Sequence, residues 1–470
     1  MKKSKLISLL ETLNKKELRA FSLFVSSPYF NKYEENILLT NFLVNCAPSF
    51  NEEKISKEAV YDVLFPDQKF DEKNLSYIMS GVTKLLEKFF QIRMFEAKKF
   101  QQEKFSLQTL IDKKQLKIYE REYGKVSNNL KKVKKQDNEY FLNSFQLAEI
   151  SIEHFNLLQI RKHNIALQDA SNFLDKFYLS TKLKYLCTML NDQKMIASEY
   201  QLTLKEEISN YLSQNSNNLD PNIELFYLTF QMLEKEDDSN RFELLRQFLQ
   251  SKTEHFTVSD ATFVYFSSIN YCIRKIRKGE RKYAEEALKL YIEAIDTETL
   301  YENGKLSQWV YKNIIDLALG LKQYDWIEEF IYEYNDRLDE KFQQNALYYN
   351  LANLFWHQKN YSKAMVMLNQ TQFTEIYYSF GAKEMLIKIY YELDEIDPLT
   401  SLLASFTLFL KRNKSVSKNI KVNYLNFCSF MNKILRLKPH KKEALVGELK
   451  QSKFLTGRSW LIEKTLEKKV

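Results

Sequence analysis

The stretch ALYYNLANLFWHQKNYSKAMVMLN, Ala346 to Asn369, reads as two helices joined by a tight turn. Tyr348, Leu351, Ala352 and Phe355 recur at three- and four-residue steps, which puts them on one helical face. Lys359-Asn360 interrupts the pattern, and Tyr361, Ala364 and Leu368 resume it on a second helix. Ala352 and Ala364 are small, so the two helices can approach closely while the larger residues fill the gaps beside them. One such pair cannot bury both of its faces, and stacking on neighbouring pairs completes the core. An all-α chain of helix pairs follows.

Weaker copies flank this unit. Ile314, Ala318, Ile327 and Ile331 take the same relative places upstream, and Leu386, Tyr390, Leu399 and Leu403 take them downstream. A more degenerate copy centres on Ala287 and Tyr291. The second-helix anchors Ala287, Ile327, Ala364 and Leu399 lie 40, 37 and 35 residues apart. The unit from Ala346 to Asn369 resembles a tetratricopeptide repeat, whose period is about 34 residues. Ile at several small-residue positions and the lack of a closing Pro make these loose relatives with longer turns. The resemblance implies an α-solenoid over residues 222–410, with the first helix of each pair on the concave face. That register places Trp309, Lys312 and Asp316 there from one unit, Tyr349, Asn353, Trp356 and His357 from the next, and Glu384, Lys388 and Tyr391 from the third. Trp and Tyr among amides and charges suit peptide recognition, because such rings bury much area at little entropic cost. Aromatic residues at helical spacing also serve as core fillers, and Trp309 and Trp356 fit that role as well.

The composition agrees with helix. Gly numbers 8 and Pro 6 in 470 residues, too few for folds that depend on tight hairpins and positive-φ turns. Hydrophobic residues make up 44%, enough for a sizeable core. Cys46, Cys187, Cys272 and Cys428 are far apart and read as buried, reduced thiols. The basic start is cut by Glu11, Asn14, Lys15 and Lys16 before an apolar signal core forms. No run approaches the roughly 18 apolar residues of a membrane span. A soluble, cytoplasmic protein without membrane insertion is expected.

Residues 1–95 form a distinct helical module. Leu6, Leu9, Leu10 and Leu13 line one face, and Asn14 with Glu17 makes a near capping box for a second helix. Ser26-Ser27-Pro28 stops that helix. Ile37, Leu38, Phe42 and Leu43 mark a third, and Ala59, Val60, Val63 and Leu64 a fourth that ends at Phe65-Pro66. Leu75, Ile78, Met79, Val82, Leu85, Leu86, Phe89 and Phe90 mark a strongly amphipathic helix. Residues 96–215 read as long charged helices, one from about Lys113 to Lys135 and one around Leu174 to Leu190, with a loop from Asn215 to Pro221. Phe24 to Lys32, Leu64-Phe65-Pro66, Leu75 to Phe90, Asn172 to Lys184 and Trp460 to Lys464 together resemble an uncharacterised family of bacterial helical-repeat proteins. That resemblance implies the architecture and no activity.

Net charge is +8 and uneven. Residues 411–470 hold sixteen Lys and Arg against four Glu, a net +12 that leaves −4 for the rest. A second basic run is Lys131–Lys135. The stripe from Ile420 to Leu435 and the short apolar groups at Glu443–Val446 and Trp460–Ile462 make 411–470 a basic helical C-terminal cap. Lys438, Lys441 and Lys442 flank Pro439 and form a candidate basic patch for an acidic partner.

No convergent set of reactive groups is visible. The five histidines lack metal-site spacing, and no phosphate-cradling Gly-rich loop or nucleophile elbow occurs. No catalytic residue, cofactor or metal is expected. The reading is a non-catalytic interaction or scaffold protein with a protein or peptide partner. The alternative is a nucleic-acid-binding or regulatory protein that uses the basic C-terminal segment and Lys131–Lys135.

Overall fold

The structure, a computed structural model, describes residues 1–159, 161–196, 199–370, 376–413 and 418–468. Lys414 and Lys469 of the basic segment lie outside the described residues. The fold is all-α, with one two-stranded hairpin among the described residues. Two compact units divide the chain, Met1–Tyr178 and Leu179–Val470.

The first unit opens with α1 (Lys5–Leu10), α2 (Lys15–Ser26), α3 (Glu34–Cys46), α4 (Lys57–Leu64) and α5 (Glu72–Ala97). Asn14 and Glu17 close the capping box of α2 reciprocally: each backbone N–H donates to the other's side chain at 3.0 Å. The helix ends at Ser26, before Pro28 can remove an N–H and crowd the turn. Leu10, Phe21, Val25, Leu39, Leu43, Val82 and Leu86 meet in one core, which Phe50 and Ile55 from the connection between α3 and α4 help to fill. Next come α6 (Lys99–Asp112), α7 (Leu116–Lys131), α8 (Asn138–Leu157) and α9 (Ile165–Ile196), the helix in which the unit boundary falls. The helix expected to reach Lys135 stops at Lys131, so Lys131 lies on its last turn, at the negative helix end, and the rest of the basic run lies in the turn and bend that follow. The helix expected near Leu174 to Leu190 is the middle of α9, a helix of 32 residues.

After α10 (Lys205–Gln214), the second unit is a series of helix pairs: α11 (Pro221–Glu234) with α12 (Ser239–Lys252), α13 (Val258–Arg277) with α14 (Lys282–Asp296), α15 (Gln308–Gly320) with α16 (Tyr324–Asn335), α17 (Glu340–His357) with α18 (Tyr361–Asn369), and α19 (Ile376–Glu392) with α20 (Ile396–Arg412). The partners in each pair touch along their length, and α14, α16 and α18 also pack on the first helix of the next pair. Ala352 and Ala364 are fully buried in the α17/α18 pair, as their size requires. Between α14 and α15, β1 (Tyr301–Glu302) and β2 (Lys305–Leu306) pair antiparallel. Asn303 and Gly304 have φ of 52° and 75°, the left-handed pair that Asn-Gly supplies in a two-residue hairpin turn.

The chain ends in α21 (Lys418–Leu435), α22 (Lys442–Gln451) and α23 (Arg458–Glu467). Phe427, Met431, Ile434, Leu449 and Leu461 join Phe380, Leu403 and Phe406 of the last pair in one core. No helix among the described residues is long and apolar enough to cross a membrane.

Candidate functional site

The residues on the first helices of the last three pairs form two differently treated areas. In the first, Lys312 pairs with Asp316 one turn along α15. Asn353 of α17 donates from Nδ2 to Asp316 Oδ1 at 3.0 Å, tying the two helices together. The Lys312 ammonium lies 5.9 Å from the Tyr349 ring centroid. Tyr349 itself is only 8% exposed. It sits against Gly381 of α19, where an added Cβ would come within 2.5 Å of the tyrosine hydroxyl. Tyr349 therefore fixes the spacing of α17 and α19 and does not present its ring to solvent, contrary to its expected place on an open face. Tyr378, which the repeat register did not single out, joins the group. Its ring stacks on Trp309 at 6.3 Å and meets Tyr349 edge-on at 5.1 Å.

His357 ends α17 and is exposed as a residue. Desolvation of its imidazole still holds the pKa below the usual histidine value; the Asp316 carboxylate opposes this and the Lys388 ammonium adds to it.

In the second area the chain covers its own surface. Glu384 and Lys388 of α19 pair at 2.6 Å, and Thr456 donates to the other Glu384 oxygen at 2.8 Å. Gly457 follows with φ of 63°, and a Cβ there would lie 3.0 Å from Glu384 Oε1 and 3.2 Å from Lys388 Cε. Close approach and a left-handed backbone both call for glycine at this one position. Trp460 of α23 then lies between Trp356, at 6.4 Å, and Tyr391, at 5.5 Å between ring centroids. Its indole N–H donates to Glu392 at 2.8 Å, and Lys464, one turn later, pairs with the same carboxylate at 3.0 Å. Burial alone would lower the Lys464 pKa, but hydrogen bonds from its ammonium to Glu467 and Glu392 raise it. Glu384, Lys388, Tyr391 and Trp356 are thus engaged by the C-terminal helices instead of forming an open face. Part of the basic segment's charge is answered by the acidic body of the same chain.

Trp309, beside Tyr378, is 43% exposed. It lines a depression of about 460 Å³ with Val258, Thr262, Phe266, Tyr301 and Asn313, rimmed by the β1–β2 hairpin. The repeat register points to Trp309. It missed Val258 and Phe266 because the copy around Ala287 was too degenerate to place its first helix.

The basic triad is split. Lys438 and Lys441 are exposed beside Pro439, whereas Lys442 is half-buried and its ammonium reaches the Lys468 carbonyl at 3.5 Å. Burial pushes the Cys428 thiol up to about 11, away from a reactive thiolate. Among the described residues no group of three His, Cys, Asp or Glu side chains is arranged to hold a metal ion. Compared with known proteins, the chain matches no family model, no curated protein and no solved structure.

Proposed function

We propose that this chain is a non-catalytic interaction protein that binds polypeptide through the first helices of its tetratricopeptide-like pairs. The observation that supports this most is the seat formed by α17 and α19. There, ring contacts from Trp356 and Tyr391 and carboxylates from Glu384 and Glu392 already hold a polypeptide segment, Thr456 to Lys464. The same surface further up the series keeps Trp309, Val258 and Phe266 exposed around an open depression. An exposed Trp beside apolar neighbours and amides has the makeup of an interface anchor. Cytoplasmic scaffolding fits this reading.

A photo-crosslinking residue at position 309 tests it in cells, with position 332 as control, since Tyr332 on α16 is more open to solvent still. A discrete polypeptide adduct from 309 and none from 332 is expected. Equal adducts from both positions, or none from 309, would overturn the reading.

A second reading, nucleic-acid binding, draws on Lys438 and Lys441, which are exposed and among the described residues pair with no carboxylate. Changing Lys438, Lys441 and Lys442 to Glu decides it. Loss of oligonucleotide binding that is steeply salt-dependent in the unaltered protein would favour this second reading.

A further inference from the structure

The stretches Phe24–Lys32 and Leu64–Pro66 and the helix from Leu75 to Phe90 are far apart in sequence, and residues from all three line one cleft of about 750 Å³ in the first unit. Its floor is apolar, from Phe30, Phe65, Ile78 and Leu85. Its rim carries Tyr29, Tyr33 and Tyr77, exposed by 85%, 69% and 68%. Three large rings so open around one cleft depart from the usual single scattered exposed residue.

The cleft is held open by a buried amide pair. Asn31 donates from Nδ2 to the Val25 carbonyl at 3.0 Å and the Tyr33 carbonyl at 2.9 Å. Its Oδ1 accepts from the Tyr33 N–H at 3.2 Å and from Asn36 Nδ2 at 3.0 Å, which fixes the loop between α2 and α3. Asn36 is 6% exposed. Its Oδ1 faces Gly81 of α5, where an added Cβ would be 2.9 Å away. Among the described residues that oxygen accepts no hydrogen bond. An acceptor therefore stands at the wall of an otherwise apolar floor, and a backbone N–H of an entering chain would satisfy it.

Charge selects further. Lys5 and Lys57 of the same module pair with Glu87 and Glu72, whereas Lys32, Lys84 and Lys88 pair with no carboxylate among the described residues. Lys32 and Lys84 line the cleft, and the Lys88 ammonium lies 5.0 Å from the Phe30 ring centroid. Glu35 is the single acidic lining residue. Tyrosines beside lysines also suit single-stranded nucleic acid. Here, however, Glu34 and Glu35 stand together at the start of α3. Residues 1–97 balance 14 Lys and Arg with 13 Asp and Glu, so the module lacks the positive field that phosphate binding draws on.

We propose that this cleft binds an extended polypeptide segment with a large apolar side chain next to one or more acidic residues. The apolar side chain enters the Phe30–Phe65–Ile78–Leu85 floor, the tyrosines close over it, Asn36 accepts a backbone N–H, and Lys32 and Lys84 meet the acidic neighbours. The inference is independent of the repeat surface.

The test uses the full chain and a synthetic library of seven-residue peptides with a central Phe and each flanking position scanned. Enrichment of Asp and Glu at a flanking position is expected. Tyr77→Ala should weaken the best peptide about tenfold, the loss of one ring anchor, and Lys84→Glu should turn the flanking preference to Lys and Arg. Both positions are exposed, so the variants should melt like the unaltered protein. Should Tyr77→Ala fail to fold, Tyr33→Ala replaces it. No peptide selection, or selection unmoved by both substitutions, overturns the proposal. So does a twelve-nucleotide oligo(dT) that binds in place of the peptides and is lost in Tyr77→Ala. Self-association in light scattering that disappears in the same variant would assign the cleft to a second copy and overturn it too.

Discussion

Two groups of large aromatic side chains meet opposite ends in this molecule. In the second unit Trp356 and Tyr391 close on Trp460, and the indole N–H finds the Glu392 carboxylate. In the first unit Tyr29, Tyr33 and Tyr77 remain open around a cleft. Composition does not separate the two groups. The difference is that the chain returns a segment, α22 and α23, to the first surface, with Leu449 and Leu461 to share the core and a glycine where the backbone must come close. Whether an exposed-looking aromatic stripe is core or interface thus depends on what the rest of the chain brings to it.

The sharpest way to break the comparison is to remove one ring from each group. Trp460→Ala should destabilise the second unit by about 2–4 kcal/mol, near the lower part of the range for buried large-to-small changes because the ring is half-buried. Tyr77→Ala should stay within about 0.5 kcal/mol, as surface substitutions do. Urea unfolding followed by circular dichroism reads both. Equal losses would mean that the tyrosines are structural and the cleft is no docking site.

Two glycines sharpen it next. A Cβ at Gly381 meets the hydroxyl and ring of buried Tyr349 at 2.5–2.9 Å, and a Cβ at Gly81 meets the Asn36 amide end at 2.9–3.4 Å. Either Gly→Ala change should gain up to about 1 kcal/mol in helix propensity. At Gly381 the packed ring has no room to yield, so a net loss of about 1–2 kcal/mol is expected. At Gly81 the amide can turn toward the cleft, and the net change in melting should be near zero. A large loss at Gly81 would show that the Asn31–Asn36 pair is as rigid as the Tyr349 seat.

A smaller effect separates paired from unpaired lysines. Glu392→Gln removes the carboxylate shared by Trp460 and Lys464, but Lys464 keeps Glu467 at 2.7 Å and Glu463 at 3.4 Å. A loss of about 1 kcal/mol, reduced by salt, is expected from equilibrium unfolding. Lys84→Met should change stability by less than about 0.5 kcal/mol.

The helix pairs were legible because each first helix carries its own period and the small residues Ala352 and Ala364 mark the contact. The α11/α12 pair carries no legible repeat, since nearly every residue of Pro221–Glu234 is apolar or buried and the helix has no polar face to set a register. The Asn303-Gly304 hairpin signal is a single dipeptide between two helices, and a low overall glycine count says nothing of one such turn. That Trp309 and Lys312 share the first helix of a pair was legible from the repeat register. The cover over Glu384 and Lys388 was not, because it joins residues about 70 positions apart and no periodicity reports a long-range return of the chain. The cleft was equally hidden: its sequence pieces were conspicuous, but only the fold brings them together.

The smallest expected effect concerns His357, at the edge between the open and the covered parts of the repeat surface. Desolvation places its folded pKa below the ordinary value of 6.5, with Asp316 opposing and Lys388 assisting. The folded state therefore prefers the neutral ring. As pH falls through 6.5 towards the folded pKa, the unfolded chain takes up the proton first, and stability declines across that window. Above it the imidazole is neutral in both states and adds no pH dependence. Melting temperatures from about pH 7.5 to about pH 5.5 should fall less in His357→Asn than in the unaltered protein. The opposite sign, a protein that gains stability relative to the variant as pH drops, would mean that the Asp316 carboxylate outweighs desolvation. The Lys312–Asp316–Asn353 group would then stand beside an imidazolium at that edge, held by the Asp316 carboxylate.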